Sequence, residues 1–118
     1  MKMNEKDRMI LEKNEINELI DGILSAIRTH VVSIILYGSF ARGDNTDGSD
    51  VDIAIILSDT LTETLSENLT DNIVDLDLKY DRVYSIIEIK HDDFERWRSY
   101  IPFYKNVDRE GIVLWKVA

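Results

Sequence analysis

The chain has 118 residues, a length typical of one domain, and 44% of them are hydrophobic, as in an ordinary folded protein. The 14 Lys and Arg against 23 Asp and Glu give a net charge of −9, which argues against binding of bulk nucleic acid. The absence of cysteine excludes disulfides, thiolate metal sites and cysteine nucleophiles.

Two apolar stretches stand out, but neither is long enough to cross a membrane. Val31–Tyr37 and Val51–Leu57 have seven residues each, far fewer than a spanning helix needs. The first residues contain no apolar segment of the kind found in a signal peptide. We therefore expect a soluble, cytoplasmic protein with no membrane contact, formed as a single domain over residues 1–118.

The first half of the chain predicts a helix and two buried strands. Apolar residues recur at three- and four-residue steps, which predicts an amphipathic helix from Met9 to Thr29 with Glu15 on its polar side. Val31–Tyr37 and Val51–Leu57 are rich in β-branched residues and apolar at nearly every position, as in strands covered on both faces. Between them, Gly38–Ser49 has the composition of a loop with turns.

The second half continues the alternation of helices and strands. Ser58-Asp59-Thr60 offers cap residues for a helix with leucines four residues apart, and Val83–Lys90 predicts a third strand. A helix is expected to begin at Asp92 and to be broken by Pro102. A short helical turn over Val107–Glu110, capped by Gly111, and a last strand over Ile112–Trp115 complete the prediction. The expected fold class is α/β, with a small mixed β-sheet packed with α-helices.

A glycine-serine pair follows the first predicted strand. Gly38-Ser39 stands directly before Phe40-Ala41-Arg42, which has the composition of a short helix. Glycine lets a phosphate approach the backbone, and a serine hydroxyl with the N–H groups of a helix start can hold it. A plain strand-to-helix turn with a capping serine is the alternative.

Two aspartates flank one residue at the start of the second strand. Period-two geometry puts Asp50 and Asp52 on one face, about 7 Å apart along the chain. Carboxylates on one face near a phosphate-binding turn suit Mg²⁺, which prefers oxygen ligands. Arg42 adds donors for phosphate oxygens, although it could instead pair with Asp44 or Asp47 at the surface.

Other phosphate and metal motifs do not fit this segment. Gly38 and Gly43 have the spacing of a P-loop, but Asp44-Asn45 stands where Lys-Ser/Thr is required. An EF-hand loop that began at Asp44 would place serine at its sixth position, where glycine is required.

The combination Gly38-Ser39, ten residues, then Asp50-x-Asp52 resembles the GS-x10-DxD motif of the DNA polymerase β-like nucleotidyltransferase superfamily. The size and element order are similar to its minimal nucleotidyltransferase branch, the MNT proteins. The resemblance implies a polymerase β palm-like fold, nucleotide binding by Gly38 and Ser39, and Mg²⁺ binding by Asp50 and Asp52. It also implies ATP as substrate and a HEPN-domain toxin as partner, whose tyrosine receives AMP in an antitoxin reaction.

The superfamily's fully active members place a further carboxylate on a neighbouring strand, as general base and metal ligand. Glu88 is the candidate, because it is the lone acid within the third predicted strand, and Asp77 and Asp81 are the alternatives. Two other functions stay open: transfer to a small molecule such as an antibiotic, and neutralisation of a partner by contact alone. A homo- or hetero-oligomer is compatible with all three hypotheses.

Overall fold

The computed structural model describes residues 11–118, which form a four-stranded sheet with helices on both faces. The helices are α1 (Lys13–Ile27), α2 (Ser39–Arg42), α3 (Glu63–Tyr80), α4 (His91–Trp97) and α5 (Pro102–Glu110). The strands are β1 (Val31–Tyr37), β2 (Val51–Leu57), β3 (Tyr84–Lys90) and β4 (Ile112–Lys116). A 3₁₀ turn, Arg28–His30, joins α1 to β1. The predicted α/β class is confirmed.

The strand order is β3-β2-β1-β4, and the sheet is mixed as predicted. β1 runs antiparallel to both β2 and β4, whereas β2 and β3 are parallel and are connected through α3. In this register Asp52 lies beside Tyr37 of β1 on one side and beside Ser85 of β3 on the other. The end of β1 therefore meets the beginnings of β2 and β3, which is where Gly38, Asp50 and Asp52 lie.

The central strand β2 supplies side chains to two cores, one on each face of the sheet. Val51, Ile53, Ile55 and Leu57 pack into the larger core with residues of α1 and α3. Ala54 and Ile56 alternate with them and pack into a smaller core with Phe94 of α4 and Val107 of α5. Because side chains alternate along a strand, Asp52 belongs to the face of the smaller core.

Several predicted boundaries need correction. The predicted first helix began at Met9, which lies outside the described residues, and within them α1 spans Lys13–Ile27. Glu15, expected on the polar side, is buried, since it lies four residues before the buried Leu19 on the same helix face. Pro102 does not end the chain's helical structure but begins α5, because a proline at the first helical position lacks only an N–H that has no partner there.

The predicted cap at Ser58-Asp59-Thr60 is also displaced. The cap of α3 is Thr62, whose hydroxyl accepts the N–H of Leu65 at 3.2 Å. Asp59 instead pairs with His30, with 2.6 Å between Oδ1 and Nδ1, and accepts the hydroxyl of Ser58 at 3.0 Å. Asp59 thus ties the end of β2 to the beginning of β1.

None of the helices within residues 11–118 combines the length and apolar character required to cross a bilayer.

Candidate active site

Gly38 lies against the carboxylate of Asp52. The pairing of Tyr37 with Asp52 brings the first residue after β1 next to β2. Gly38 has φ 76° and ψ −155°, a conformation that side-chain-bearing residues rarely adopt. A Cβ atom at this position would stand 2.3 Å from Oδ2 of Asp52. The sequence therefore needs glycine here for two reasons, the backbone conformation and the space that the carboxylate occupies.

The turn after Gly38 starts the short helix α2, as predicted. The carbonyl of Gly38 accepts the N–H groups of Ala41 and Arg42 at 3.1 and 3.0 Å, so Gly38 is the cap residue. Ser39 is the first helical residue and does not act as a side-chain cap. The N–H groups that begin a helix have no intrahelical partner, so those of Ser39 and Phe40 are available beside Asp52.

Asp50 and Asp52 form a pair of like charges. Asp50 is exposed directly before β2, and Asp52 is partly buried on the strand. Burial raises the pKa of Asp52, and the charge of Asp50 raises it further, whereas Arg42 opposes the shift. Within residues 11–118, no hydrogen bond or ion pair reaches the Asp52 carboxylate. A cation placed between the two aspartates would relieve this repulsion.

Arg42 approaches the site but is paired with two acids at the surface. Its Nε donates to Asp44 at 3.1 Å, and its Nη1 donates to Glu110 of α5 at 3.1 Å. These two hydrogen bonds raise the pKa of Arg42 above its usual value. The surface pairing with Asp44 considered from the sequence is therefore present, together with a second acid that sequence proximity could not indicate.

Glu88 is not brought to the two aspartates. It pairs with Ile55 in the register of β2 and β3, so its side chain lies on the face opposite to Asp52, and it is exposed. The residue beside Asp52 on β3 is Ser85. Of the two alternatives, Asp77 accepts the backbone N–H of Tyr84 at 3.0 Å, and Asp81, the C-cap of α3 in a left-handed conformation, lines the same cleft as Asp50. The structure therefore does not bring Glu88, the predicted third carboxylate, to Asp50 and Asp52.

Side chains that sequence reasoning did not single out line a cleft beside Asp50. A cleft of about 290 Å³ runs from Asp50 and Ser49 to Phe40 and Arg82. The guanidinium of Arg82 lies over the ring of Phe40, 5.4 Å from its centroid. Arg82 could not be found from the motif, because it belongs to the turn before β3, 43 residues after Ser39. In the described part of the chain, no group of three or more His, Cys, Asp or Glu side chains is placed to hold a metal.

Two solved toxin–antitoxin structures share the fold of this chain. A toxin–antitoxin structure with AMP-PNP matches with a TM-score of 0.57 and 24% identity, over 86% of this chain and 73% of that chain. The structure of a mutant of the toxin–antitoxin MntA-HpeT matches with a TM-score of 0.56 and 26% identity, over 91% and 74%.

The family follows from the sequence comparisons. The chain belongs to the family described as "Polymerase beta, Nucleotidyltransferase", whose model matches residues 17–116. A relative from Methanocaldococcus jannaschii, "Putative protein adenylyltransferase MJ0604", is 34% identical over 104 residues, which is 88% of this chain and 98% of that protein. The predicted resemblance, the fold and the nucleotidyltransferase class are thereby confirmed.

Proposed function

We propose that this chain transfers AMP from ATP to a hydroxyl of a partner protein, a tyrosine of a HEPN-domain toxin, and so acts as an antitoxin. The name of the M. jannaschii relative supports protein adenylylation, and the toxin–antitoxin neighbours support a toxin as partner. The observation that carries the proposal is the contact between Gly38 and Asp52, because it joins a phosphate-binding turn to a carboxylate pair.

The turn would hold the phosphates of the nucleotide. The N–H groups of Ser39 and Phe40, together with the Ser39 hydroxyl, can donate to phosphate oxygens that approach over Gly38. Arg42 lies close enough to affect Asp52, and its bonds to Asp44 and Glu110 orient its guanidinium at this edge. We assign it the role of compensating negative charge near the phosphates.

The residues present fit a divalent cation. Asp50 and Asp52 offer hard oxygen ligands, and Asp52 is partly buried beside a like charge without a hydrogen-bond donor of its own within residues 11–118. We propose that these two carboxylates hold Mg²⁺, which would neutralise the charge that develops on the phosphates during transfer. Oxygen atoms of the nucleotide would complete the coordination.

The proposal assigns no third carboxylate. Glu88 lies on the opposite face, and Ser85 beside Asp52 has a neutral hydroxyl. The described part of the chain is small and forms one sheet with its helices, so we propose that residues 1–118 act as one minimal nucleotidyltransferase unit. The acceptor hydroxyl would then be presented by the partner's own fold, since little of this chain is left to enclose a small acceptor.

The test is the intact mass of a candidate toxin, encoded by a neighbouring gene, after incubation with this protein, ATP and Mg²⁺. A matched control carries Asp50→Asn and Asp52→Asn together, and a second control carries Asp59→Asn. The proposal predicts a gain of one or more AMP units with the wild type and with Asp59→Asn only. If the wild type and the double variant both form a stable complex with the toxin and its mass does not change, the proposal is wrong, and the protein neutralises the toxin by contact. Modification of a small acceptor but of no protein would replace it with an antibiotic-type transferase.

A further inference from the structure

Beneath the candidate site lies a buried charged network. The side chain of Glu15 on α1 is only 3% exposed, and its Oε2 lies 2.8 Å from Nε of Arg82. The hydroxyl of Tyr84 on β3 donates to the same carboxylate oxygen. A carboxylate is costly to remove from water unless it is paired and hydrogen-bonded, so this arrangement fixes the position of Arg82.

Arg82 is thereby held in the cleft beside Asp50. Its guanidinium packs over Phe40, which directly follows Ser39, and it lines the cleft together with Ser49 and Asp50. The turn that carries it is attached to β2, because the N–H of Val51 donates to the carbonyl of Val83 at 2.8 Å. The ion pair with Glu15 engages Nε and, within residues 11–118, no hydrogen bond uses the two terminal nitrogens.

Arg82 differs in this respect from Arg42. Both Nε and Nη1 of Arg42 already donate to acids, and its side chain is 44% exposed. Arg82 is 26% exposed, is paired with Glu15 through Nε, and has its guanidinium over the ring of Phe40. A guanidinium held in place in this way is the side chain best suited to form two hydrogen bonds to phosphate oxygens.

Resting on the proposed function, we propose that Arg82 binds the outer phosphates of the nucleotide and that Glu15 is the positioning residue that holds it there. The cleft is also lined by Asp50 and Asp81, so a bare polyphosphate would meet negative charge there. The ligand is therefore a nucleoside triphosphate that enters with its divalent cation. A nucleoside monophosphate lacks the phosphates that reach Arg82.

Calorimetric titrations with ATP and with AMP, both in the presence of Mg²⁺, test this assignment. Arg82→Gln is expected to weaken ATP binding about tenfold or more, the loss typical of a charge-assisted phosphate contact, and to leave AMP binding unchanged. Arg98→Gln is the matched control, since Arg98 pairs with Glu95 and Asp108 at the surface and should bind both nucleotides as the wild type does.

A second variant separates phosphate binding from structural support. Arg82→Gln alone leaves the buried Glu15 carboxylate without its cation, whereas Glu15→Gln with Arg82→Gln removes both charges and keeps an acceptor for Tyr84. If Arg82 binds phosphate, the double variant folds and remains weak toward ATP. Recovery of ATP affinity in the double variant, or an equal loss for ATP and AMP, would overturn the assignment. Failure of the wild type to bind ATP at all would instead refute the proposed function.

Discussion

An aspartate lies at each end of the β1–β2 pair, and the surroundings of these two aspartates shift their pKa values in opposite directions. At one end, Asp59 is tied to His30 and Ser58 by hydrogen bonds, which lower its pKa. At the other end, Asp52 faces Gly38, and burial together with the charge of Asp50 raises its pKa. The first carboxylate is hydrogen-bonded within the fold, whereas no hydrogen bond or ion pair reaches the second within residues 11–118. In the proposed function, this contrast separates a structural aspartate from one that binds a cation.

Removing the negative charges of Asp50 and Asp52 should have the largest effect on AMP transfer. Asp50→Asn with Asp52→Asn should lower AMP transfer about a thousandfold or more, since a bound cation supplies several kcal/mol of charge stabilisation and about 1.4 kcal/mol corresponds to tenfold in rate. Initial rates of AMP transfer measure the effect. Asp59→Asn should remain within about twofold of the wild type, because it lies at the opposite end of β2. Equal losses in both variants would show that the two ends do not differ in function.

Substitution of Gly38, which lies against Asp52, should have the next largest effect, and this effect is on stability. Gly38→Ala introduces both a forbidden backbone conformation and a Cβ atom 2.3 Å from Oδ2 of Asp52, so we expect the free energy of unfolding to fall by about 2–3 kcal/mol. Gly43→Ala is a matched control, with a similar φ of 80° but nothing within 4 Å of the added Cβ, and should lose only about 1 kcal/mol. Denaturant unfolding measures both. If the two variants lose the same stability, the contact with Asp52 does not restrict this position.

The contributions of Asp52 and Asp59 to stability should have opposite signs, and both should depend on pH. The raised pKa of Asp52 means that its charged form opposes folding, so Asp52→Asn should stabilise the protein at pH 7, and the gain should vanish as pH falls toward 3.8. The lowered pKa of Asp59 means the reverse: its carboxylate stabilises the fold above pH 3.8, and this contribution is lost as pH falls below that value. Asp59→Asn should therefore lower Tm at pH 7. We expect both changes to be smaller than that of Gly38→Ala, and thermal scans from pH 3 to pH 7 would reveal shifts of the same sign if the contrast is wrong.

The smallest expected effect concerns the carboxylate on the opposite face. Glu88→Gln should leave AMP transfer within about twofold of the wild type, because Glu88 is exposed across the sheet from Asp52. The same transfer assay measures it. A loss comparable to that of the Asp50 and Asp52 variants would support Glu88 as the third acid and contradict the role that its register with Ile55 indicates.

Local sequence patterns were sufficient to predict the strands β1 and β2 and the turn at Gly38-Ser39. The β-branched runs Val31–Tyr37 and Val51–Leu57 are strands with those bounds, and Gly38-Ser39 and Asp50-x-Asp52 lie together because β1 and β2 are antiparallel neighbours. These features depend on residues close together in the chain, where composition and period carry the information.

The remaining features depend on contacts between distant segments. The face of Glu88 is decided by its register with β2, which period-two reasoning along one strand cannot supply. Arg42 meets Glu110 across 68 residues, and Glu15 meets Tyr84 across 69. Glu15 also carried a misleading local signal, because a charged residue on an amphipathic helix usually lies in solvent. Its spacing of four from Leu19 was the one indication of burial.

A measurement of cation binding tests most directly how the Asp52 and Asp59 ends of the β1–β2 pair differ. Titration of Mn²⁺, a spectroscopic substitute for Mg²⁺, in the presence of ATP can be followed by electron paramagnetic resonance for the wild type, Asp52→Asn and Asp59→Asn. The account predicts equal binding by the wild type and Asp59→Asn, and binding weakened at least about tenfold in Asp52→Asn, since even a residue that only supports a ligand contributes that much. Unchanged Mn²⁺ binding in Asp52→Asn would contradict the proposal that the Gly38–Asp52 end binds the cation.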